Sequence, residues 1–345
     1  MNIQDILGIR LPIVQAPMAG VQNHALAVAV SNAGGLGSLP CAMLSPDALR
    51  SELAALTEKT DQPYNLNFFC HRQPSVDDER EAQWRRMLDP YYREFGIDSS
   101  TSVSQASRMP FSEDIADIIE PFRPPVVSFH FGLPAKSLVD RVHSWGSAIL
   151  STATTVDEAL WLEANGADVV IAQGLEAGGH RGFFLSRDLS TQLGTLALVP
   201  SLVDAVNIPV IAAGGIVDAK TVKAVQALGA AGAQVGTAYL LCTEATTSTV
   251  HRNAIKSADA QHTALTNLFS GGAARGIMNR VMRELGPICD GAPPFPLASA
   301  SIAPLRAHAE SLGSGDFSPL WAGQNVSACK AISAARMTLE LADVG

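Results

Sequence analysis

A histidine that follows two glycines is the residue of this sequence best suited to moving a proton. His180 belongs to the segment GGHRG at residues 178–182, shortly after an apolar run that ends at Gln173. An imidazole can accept a proton near neutral pH because its ordinary pKa is about 6.5. Gly178 and Gly179 would let the backbone approach a planar ligand while the imidazole still projects from it. A surface histidine in a loop is the alternative, but a position at the end of an apolar run favours a catalytic base.

Glycines after one later apolar run and within the next predict a phosphate-binding site. Gly214 and Gly215 follow the run at residues 209–213, and Gly236 precedes Thr237 in the next run. Backbone N–H groups at such glycines can approach a phosphate without interference from side chains, and the positive end of a following helix dipole adds attraction. Tight turns would use the same glycines, but two such sites after consecutive runs favour phosphate binding. The pattern does not say which molecule carries the phosphate.

Several other side chains stand where apolar runs end. Asn67 and Gln173 are amides at such ends, and either would bind a ligand or cap a turn. Gln173 ends an otherwise apolar run, where an unpaired amide is costly, so a ligand partner is favoured. By the same reasoning His130 is predicted to line a pocket. Met18, which follows Pro17, would form an apolar wall against a ring system or belong to the ordinary core.

These residues can share one site only if the elements that carry them converge. Strands are predicted at eight apolar runs bounded by turn residues, several of them continuously apolar as in parallel strands covered on both faces: Pro12–Met18, Leu36–Pro40, Asn65–Cys70, Val126–Phe131, Ala148–Thr152, Asp168–Gln173, Pro209–Ala213 and Ala233–Tyr239. Helices with cap or stop signals alternate with them: His24–Ala33, Ser45–Thr60, Thr155–Asn165 and Asp218–Leu228. The alternation predicts an α/β fold, a TIM (β/α)8 barrel with its active site at the carboxyl ends of the strands.

Two regions interrupt the alternation and predict an inserted helical lid. Residues 71–125 are too long for an ordinary loop and carry a polar helical pattern at Val76–Phe95. The chain looks helical again over Thr243–Arg283, and a last helix is predicted over Asn325–Leu341. We therefore expect three parts: a barrel over residues 1–242 that includes the long insertion at 71–125, a helical lid or substrate subdomain over 243–320, and a C-terminal helix over 321–345 that returns to the barrel.

Composition excludes several classes of function. The net charge of −9 and the lack of a basic stripe argue against nucleic-acid binding. Five cysteines without C-x-x-C spacing argue against zinc or a redox pair, and no metal site is predicted. No apolar stretch approaches the ~20 residues that span a bilayer, so we expect no membrane association, and without a recognisable leader we expect a cytoplasmic protein. No lysine lies in a predicted strand, where a Schiff-base aldolase needs one.

The chain resembles a known family in several motifs that follow in the right order. Segments similar to class I nitronate monooxygenases, formerly called 2-nitropropane dioxygenases, are Ala16-Pro17-Met18-Ala19-Gly20, Asn67-Phe68-Phe69-Cys70-His71, Phe131-Gly132-Leu133-Pro134 and Gly178-Gly179-His180-Arg181-Gly182. Gly271-Gly272-Ala273-Ala274-Arg275-Gly276 is also similar, although Ala273 replaces a common proline. The resemblance runs from about Pro12 to Gln324, nearly the whole chain.

The resemblance implies an FMN enzyme that oxidises alkyl nitronates with O2, without NAD(P)H. It implies propionate 3-nitronate as the physiological substrate, and it leaves a homodimer open. His180 would deprotonate neutral nitroalkanes, and Met18 and His130 would line the substrate side of the flavin. The cofactor would be held by Ala16, Pro17, Met18, Asn67, Gln173, Gly178 and Gly179, with its phosphate at Gly214, Gly215, Gly236 and Thr237. The family often has tyrosines near the substrate channel, whereas this chain has Trp321 and no tyrosine after Tyr239.

Three alternatives remain open at the level of sequence. An NAD(P)H-dependent flavin reductase on the same barrel, of the enoyl-acyl-carrier-protein or quinone reductase type, shares Gly-Gly-His after the sixth strand. A barrel isomerase or lyase would use the same glycines for a phosphorylated substrate. A protein that stores FMN without catalysis would not need His180 as a base.

Overall fold

Short buried runs form a parallel sheet in the computed structural model, which describes residues 2–98 and 108–344. Val169–Gln173, for example, is buried at every position, as a strand covered on both faces must be. In chain order the strands are β1 Ile13–Gln15, β2 Gly37–Pro40, β3 Tyr64–Phe69, β4 Val126–His130, β5 Ala148–Ala153, β6 Val169–Gln173, β7 Gly179–His180, β8 Val210–Ala213, β9 Gly232–Val235, β10 Thr263–Thr266 and β11 Ala274–Ile277.

Eight of these strands close into a barrel. Their order in the sheet is β1-β9-β8-β6-β5-β4-β3-β2, and every neighbouring pair is parallel. A parallel bridge between Val14 and Leu36 joins β1 to the start of β2 and completes the ring. The predicted (β/α)8 barrel is therefore confirmed, with each of the eight predicted runs contributing one strand.

Helices surround the barrel, and caps set their ends. Ser45 Oγ accepts the Ala48 N–H, and Asp218 and Thr221 form a reciprocal capping box, which satisfies N–H groups that the first helical turn leaves free. In chain order the helices are α1 Ile3–Leu7, α2 His24–Ala33, α3 Pro46–Lys59, α4 Asp78–Phe95, α5 Glu113–Ile119, α6 Lys136–Ser144, α7 Val156–Ala164, α8 Thr195–Ala205, α9 Ala219–Ala227, α10 Thr249–Lys256, α11 Arg280–Leu285, α12 Ser299–Ser311 and α13 Ala334–Leu341.

The barrel is closed at one end only. Ile3 and Leu7 of α1 pack against inward-facing residues such as Val14 and Leu150 in one buried apolar cluster. This cluster fills the amino-terminal end of the strands. Ligand access is therefore left to the carboxyl-terminal end, where the loops after each strand meet.

A second apolar core lies outside the barrel. Trp84 and Tyr92 of α4 pack with Met282 of α11, Leu305 of α12 and Phe317. Helix α4 of the insertion at residues 71–125 thus packs in one core with helices from the C-terminal third of the chain. None of the helices described in residues 2–98 and 108–344 is both long and apolar enough to cross a membrane.

The structure corrects the prediction of a purely helical lid. Within Thr243–Arg283, β10 and β11 form an antiparallel pair, and β11 also pairs with β7. The last helix occupies only Ala334–Leu341 of the predicted Asn325–Leu341, because Ser333 caps it. The eighth run ends as a strand at Val235 and continues as a 3-10 helix over Thr237–Leu241. The division at residues 242 and 320 stays a prediction.

Candidate active site

A cavity of about 280 Å³ opens at the carboxyl ends of the barrel strands. It gathers every residue that the sequence placed in the site: Ala16, Pro17, Met18, Asn67, His130, Gln173, Gly178, Gly179, His180, Gly214, Gly215, Gly236 and Thr237. They come from loops that are far apart in sequence and meet only because the barrel closes. The structure therefore brings the predicted residues together, and their roles toward a ligand stay predictions.

His180 lies on the short strand β7, and its imidazole faces the cavity. Its Nε2 lies 2.7 Å from Ser270 Oγ, and its ring meets Phe295 and Trp321 at centroid distances of 5.1 and 5.5 Å. Burial among these groups lowers the pKa of His180 well below its usual value, and the nearby Arg108 charge adds to this effect. His180 is therefore a neutral imidazole at pH 7, which is the form that can accept a proton.

The backbone carbonyl of His180 is fixed by two side chains that the sequence assigned to the ligand. Gln173 Nε2 and His130 Nε2 lie 2.9 and 3.2 Å from this oxygen. Gly182 N–H donates to Gln173 Oε1 at 2.8 Å, so both ends of this amide have protein partners. Gln173 and His130 line the cavity as predicted, but these bonds make them positioning residues for the His180 loop.

His130 is itself held in one tautomer by its neighbours. Its Nε2 faces the His180 carbonyl and so carries the proton, while Nδ1 lies 3.1 Å from the Thr152 hydroxyl. Burial lowers the pKa of His130 to about 4. A protonated His130 would place a positive charge next to His180, and the low pKa of His130 prevents this at neutral pH.

Arg181 holds the loop that carries His180 in place through hydrogen bonds of its guanidinium. Its side chain is 1% exposed and donates to the carbonyls of Gln173 and Gly174 and to Gln192 Oε1, at 2.6 to 3.0 Å. Burial lowers the pKa of Arg181 to about 10, so it remains charged at pH 7. Its position makes it a structural residue.

The glycines of the site meet different needs. Gly214 and Gly215 have φ values of +120° and +72°, which side chains of other residues rarely allow. Gly179 also has a positive φ, and a Cβ there would meet nothing within 4 Å, so its face is open to the cavity. A Cβ on Gly178 would lie 2.6 Å from the backbone of Ala322. Gly178 is therefore required by packing against the chain around residue 322, and its predicted contact with a ligand is not needed to explain it.

Asn67 and Thr237 also have protein partners. Asn67 donates from Nδ2 to Ser128 Oγ at 2.9 Å, which fixes the amide at the cavity wall. Thr237 Oγ1 accepts the Gly323 N–H at 3.0 Å. The hydroxyl of Thr237 thus ties the turn after β9 to the C-terminal segment, and its backbone begins the 3-10 helix that faces the cavity.

Other residues that line the cavity or contact His180 were missed as site residues by the sequence reasoning. Ser270 precedes the glycine pair of residues 271–272, and only the pairing of β11 with β7 brings it to His180. Gln234 had a signal, because a polar residue stands within the apolar run before Gly236. Arg108, which lines the cavity, and Phe295, which packs against His180, had no such signal, because neither directly follows a predicted strand in the sequence.

Comparisons with known proteins agree with the resemblance noted in the motifs. The family profile described as "Nitronate monooxygenase" matches residues 1–343. A nitronate monooxygenase of Pseudomonas aeruginosa is 40% identical over 343 residues, 98% of this chain and 97% of that protein. A structure of nitroalkane oxidase from Streptomyces ansochromogenes matches with a TM-score of 0.88 at 36% identity, covering 99% and 96% of the two chains. FabK from Thermotoga maritima matches with a TM-score of 0.72 at 26% identity, covering 99% and 95%. The chain therefore belongs to the nitronate monooxygenase family of oxidoreductases.

Proposed function

We propose that this chain oxidises alkyl nitronates with molecular oxygen, using FMN and no NAD(P)H, and that propionate 3-nitronate is its physiological substrate. The products would be a carbonyl compound and nitrite or nitrate. The observation that carries the proposal is the single cavity that joins a neutral His180 to the glycine turns after β8 and β9. Similarity to proteins named nitronate monooxygenase and nitroalkane oxidase supports the same reaction.

The cavity fits a flavin mononucleotide. Gln234 lines it, and the buried Gln234 Oε1 has no hydrogen-bond partner within the described part of the chain. A buried acceptor of this kind is expected to have a donor, which a bound polar ring system would provide. A Cβ on Gly236 would lie 3.4 Å from Ala16 and 3.6 Å from Met18 Sδ, so only a small residue leaves this part of the cavity free.

We assign the parts of the cofactor to the two sides of this cavity. The phosphate would be held by the turns after β8 and β9, where glycines leave the backbone accessible, at Gly214, Gly215, Gly236 and Thr237. The ring system would lie against Ala16, Pro17, Met18 and Asn67, with Gly179 on its open side. Bound FMN would supply one-electron redox chemistry toward the nitronate and oxygen.

His180 supplies the proton chemistry in this proposal. A neutral nitroalkane must lose a proton from the carbon beside its nitro group before oxidation, and the neutral His180 can take it. A nitronate has already lost this proton, so it needs His180 less. Phe131, Phe295 and Trp321 surround the imidazole at 5.1 to 6.3 Å between ring centroids, and this aromatic wall excludes water from the reacting carbon.

Oxygen uptake by the yellow protein with propionate 3-nitronate, with and without NADH, tests the proposal. We expect rapid uptake with nitronate alone and no stimulation by NADH. Anaerobic NADPH addition is the companion measurement, because rapid bleaching of the flavin would contradict the proposal and favour an NAD(P)H-dependent flavin reductase. Protein that stays colourless after FMN addition would instead favour a phosphate-binding isomerase or lyase.

A further inference from the structure

One cationic side chain of the cavity lacks a carboxylate partner. Arg108 donates from Nη1 to Ser299 Oγ at 3.1 Å, and its guanidinium carbon lies 5.7 Å from the centroid of the Phe295 ring. No carboxylate oxygen of the described residues lies within 4.0 Å of this guanidinium, and residues 99–107 contain neither Asp nor Glu. Within residues 2–98 and 108–344, a hydroxyl and an aromatic face are thus the partners recorded for this guanidinium.

A second arginine at the same cavity provides the contrast. Arg306 Nε donates to Glu310 Oε1 at 2.8 Å, so its charge is already balanced. Ser318 also donates to this carboxylate. Glu310 thus already accepts hydrogen bonds from two donors, and Arg108 is the cavity arginine without a carboxylate partner among the described residues.

A half-buried guanidinium without a carboxylate is unfavourable unless a ligand supplies the negative charge. Removing a charge from water is unfavourable unless an opposite charge or hydrogen bonds replace the lost hydration. Burial lowers the pKa of Arg108, and the neighbouring Arg306 charge lowers it further. Both effects would be relieved by an anion bound in the cavity next to Arg108.

The phosphate of the proposed FMN is not this anion. Gln73 Nε2 donates to the Arg108 carbonyl, and Phe111 N–H donates to Phe69 O at the end of β3, so this segment lies beside β3. The phosphate turns follow β8 and β9, and four strand steps separate β3 from β8 in the ring. Arg108 therefore stands on the wall opposite the phosphate.

The position of Arg108 relative to His180 suits a short substrate. Both groups contact Phe295, whose ring centroid lies 5.7 Å from the guanidinium carbon and 5.1 Å from the His180 ring centroid. The cation and the base therefore share one aromatic neighbour. A molecule of a few carbons can place its reacting carbon at His180 and a negative group at Arg108.

We propose that Arg108 binds the carboxylate of the substrate and so makes this chain selective for nitronates that carry a carboxylate. The inference rests on the proposed nitronate oxidation and adds the residue that selects among nitronates. Guanidinium groups bind carboxylates through two parallel hydrogen bonds, which a neutral alkyl chain cannot form. Arg108 is then a specificity residue, and His180 remains the base.

The test compares two substrates of equal carbon number, propionate 3-nitronate and propyl-1-nitronate. Arg108→Gln should lower the ratio of their kcat/KM values by about 10- to 100-fold, the worth of one charged hydrogen-bonded contact. Arg108→Lys should recover part of this ratio because it keeps the charge. Arg306→Gln is the matched control, and it should change the ratio by less than about threefold because Glu310 already occupies Arg306.

A binding measurement separates recognition from turnover. Succinate has one carboxylate in place of the planar nitronate group and does not react, so its Kd can be measured by titration. Arg108→Gln should raise this Kd by about 10- to 100-fold, with a melting temperature close to that of the unchanged protein. An unchanged ratio and an unchanged succinate Kd in Arg108→Gln, or an equal loss in Arg306→Gln, would overturn the inference. Failure of the unchanged protein to oxidise either nitronate would instead overturn the proposed function.

Discussion

His180 is held at two separate points, its backbone carbonyl and its imidazole ring, and each has a different effect. Its carbonyl is fixed by Gln173 and His130, which sets the position of the residue. Its ring faces Ser270 and an aromatic wall, which keeps it neutral. A neutral imidazole can accept a proton from carbon without first losing one to solvent.

Replacement of this base should distinguish the two kinds of substrate. His180→Asn should lower kcat/KM for nitroethane by about 10²- to 10⁴-fold, the usual contribution of a general base, and that for ethyl nitronate by much less. Steady-state oxygen uptake with each substrate gives the comparison. His143→Asn is the control, because His143 lies outside the cavity on α6 and contacts Asp168. Equal losses on both substrates in His180→Asn would show that His180 does not act as the base.

At the residue scale, position along the chain was enough to place every predicted site residue at the cavity, and their roles stay predictions. His180 and the glycines follow apolar runs directly, and barrel geometry places every such position at one end of the sheet. Arg108 and Ser270 could not be found this way, because long-range contacts of irregular segments bring Arg108 to the cavity and Ser270 to His180. The amide of Gln173 lines the cavity as predicted, but its hydrogen-bond partners are the backbone of residues 180 and 182 and not a ligand. The sequence does not show where this part of the chain folds back.

At the element scale, the C-terminal segment around residue 322 is part of the cavity wall. Gln324 N–H donates to Glu176 O at 3.0 Å, and Gly323 N–H donates to Thr237 Oγ1. Trp321 bridges to Gly276 of β11. The loops after β6 and β9 and the small sheet are thus joined through one short segment that also carries Trp321 to His180.

Gly178→Ala tests this junction. A Cβ at Gly178 would lie 2.6 Å from the backbone of Ala322 and Gly323, so the segment must move and carry Trp321 with it. We expect a loss of about 1–3 kcal/mol in the free energy of unfolding, typical of overpacking, measured by urea denaturation of flavin-free protein.

The matched comparison is Gly236→Ala, whose Cβ would sit at ordinary contact distances and should cost less than about 1 kcal/mol in the same flavin-free measurement. Gly236→Ala should weaken FMN binding more than it weakens the fold, because the added methyl group faces the cavity. Equal losses of stability in both variants would rule out the steric explanation.

Elements with strong local signals were predicted and those held by distant partners were not. Continuous apolar runs and capped helices identified the barrel, because each strand and helix carries its own boundary residues. Thr263–Thr266 and Ala274–Ile277 are four-residue strands without such signals, and the sequence around them suggested helix instead. Their conformation depends on pairing with each other and with β7, which local sequence does not encode.

At the scale of the whole molecule, buried histidines make stability depend on pH. Burial lowers the pKa values of His71, His130 and His251 to about 4, whereas an unfolded histidine titrates near 6.5. The unfolded chain therefore binds more protons than the folded one between these values, and stability falls as pH falls from about 6.5 toward 4. Each unit of depression corresponds to about 1.4 kcal/mol.

Urea denaturation at pH 7.0, 6.0 and 5.0 should show this loss. Carboxylates stay ionised over most of that range, so the decrease belongs mainly to the histidines. His251→Gln should flatten the dependence, because it removes a buried imidazole that contacts the Trp321 carbonyl at 3.1 Å. A urea midpoint that is constant from pH 7.0 to 5.0 would falsify the assignment.

The second core also constrains the order in which parts of the protein can fold while the chain is being synthesised. Trp84 of α4 donates to the carbonyl of Ala298, which lies 214 residues further along the chain. At a translation rate of about 5–20 residues per second, α4 waits on the order of 10–40 s for its partner helix. During that time Leu88 and Tyr92, which the finished protein buries, lie on an uncovered apolar face. The nascent chain therefore exposes this apolar face until α12 is synthesised, and the second core is among the last parts of the enzyme to form.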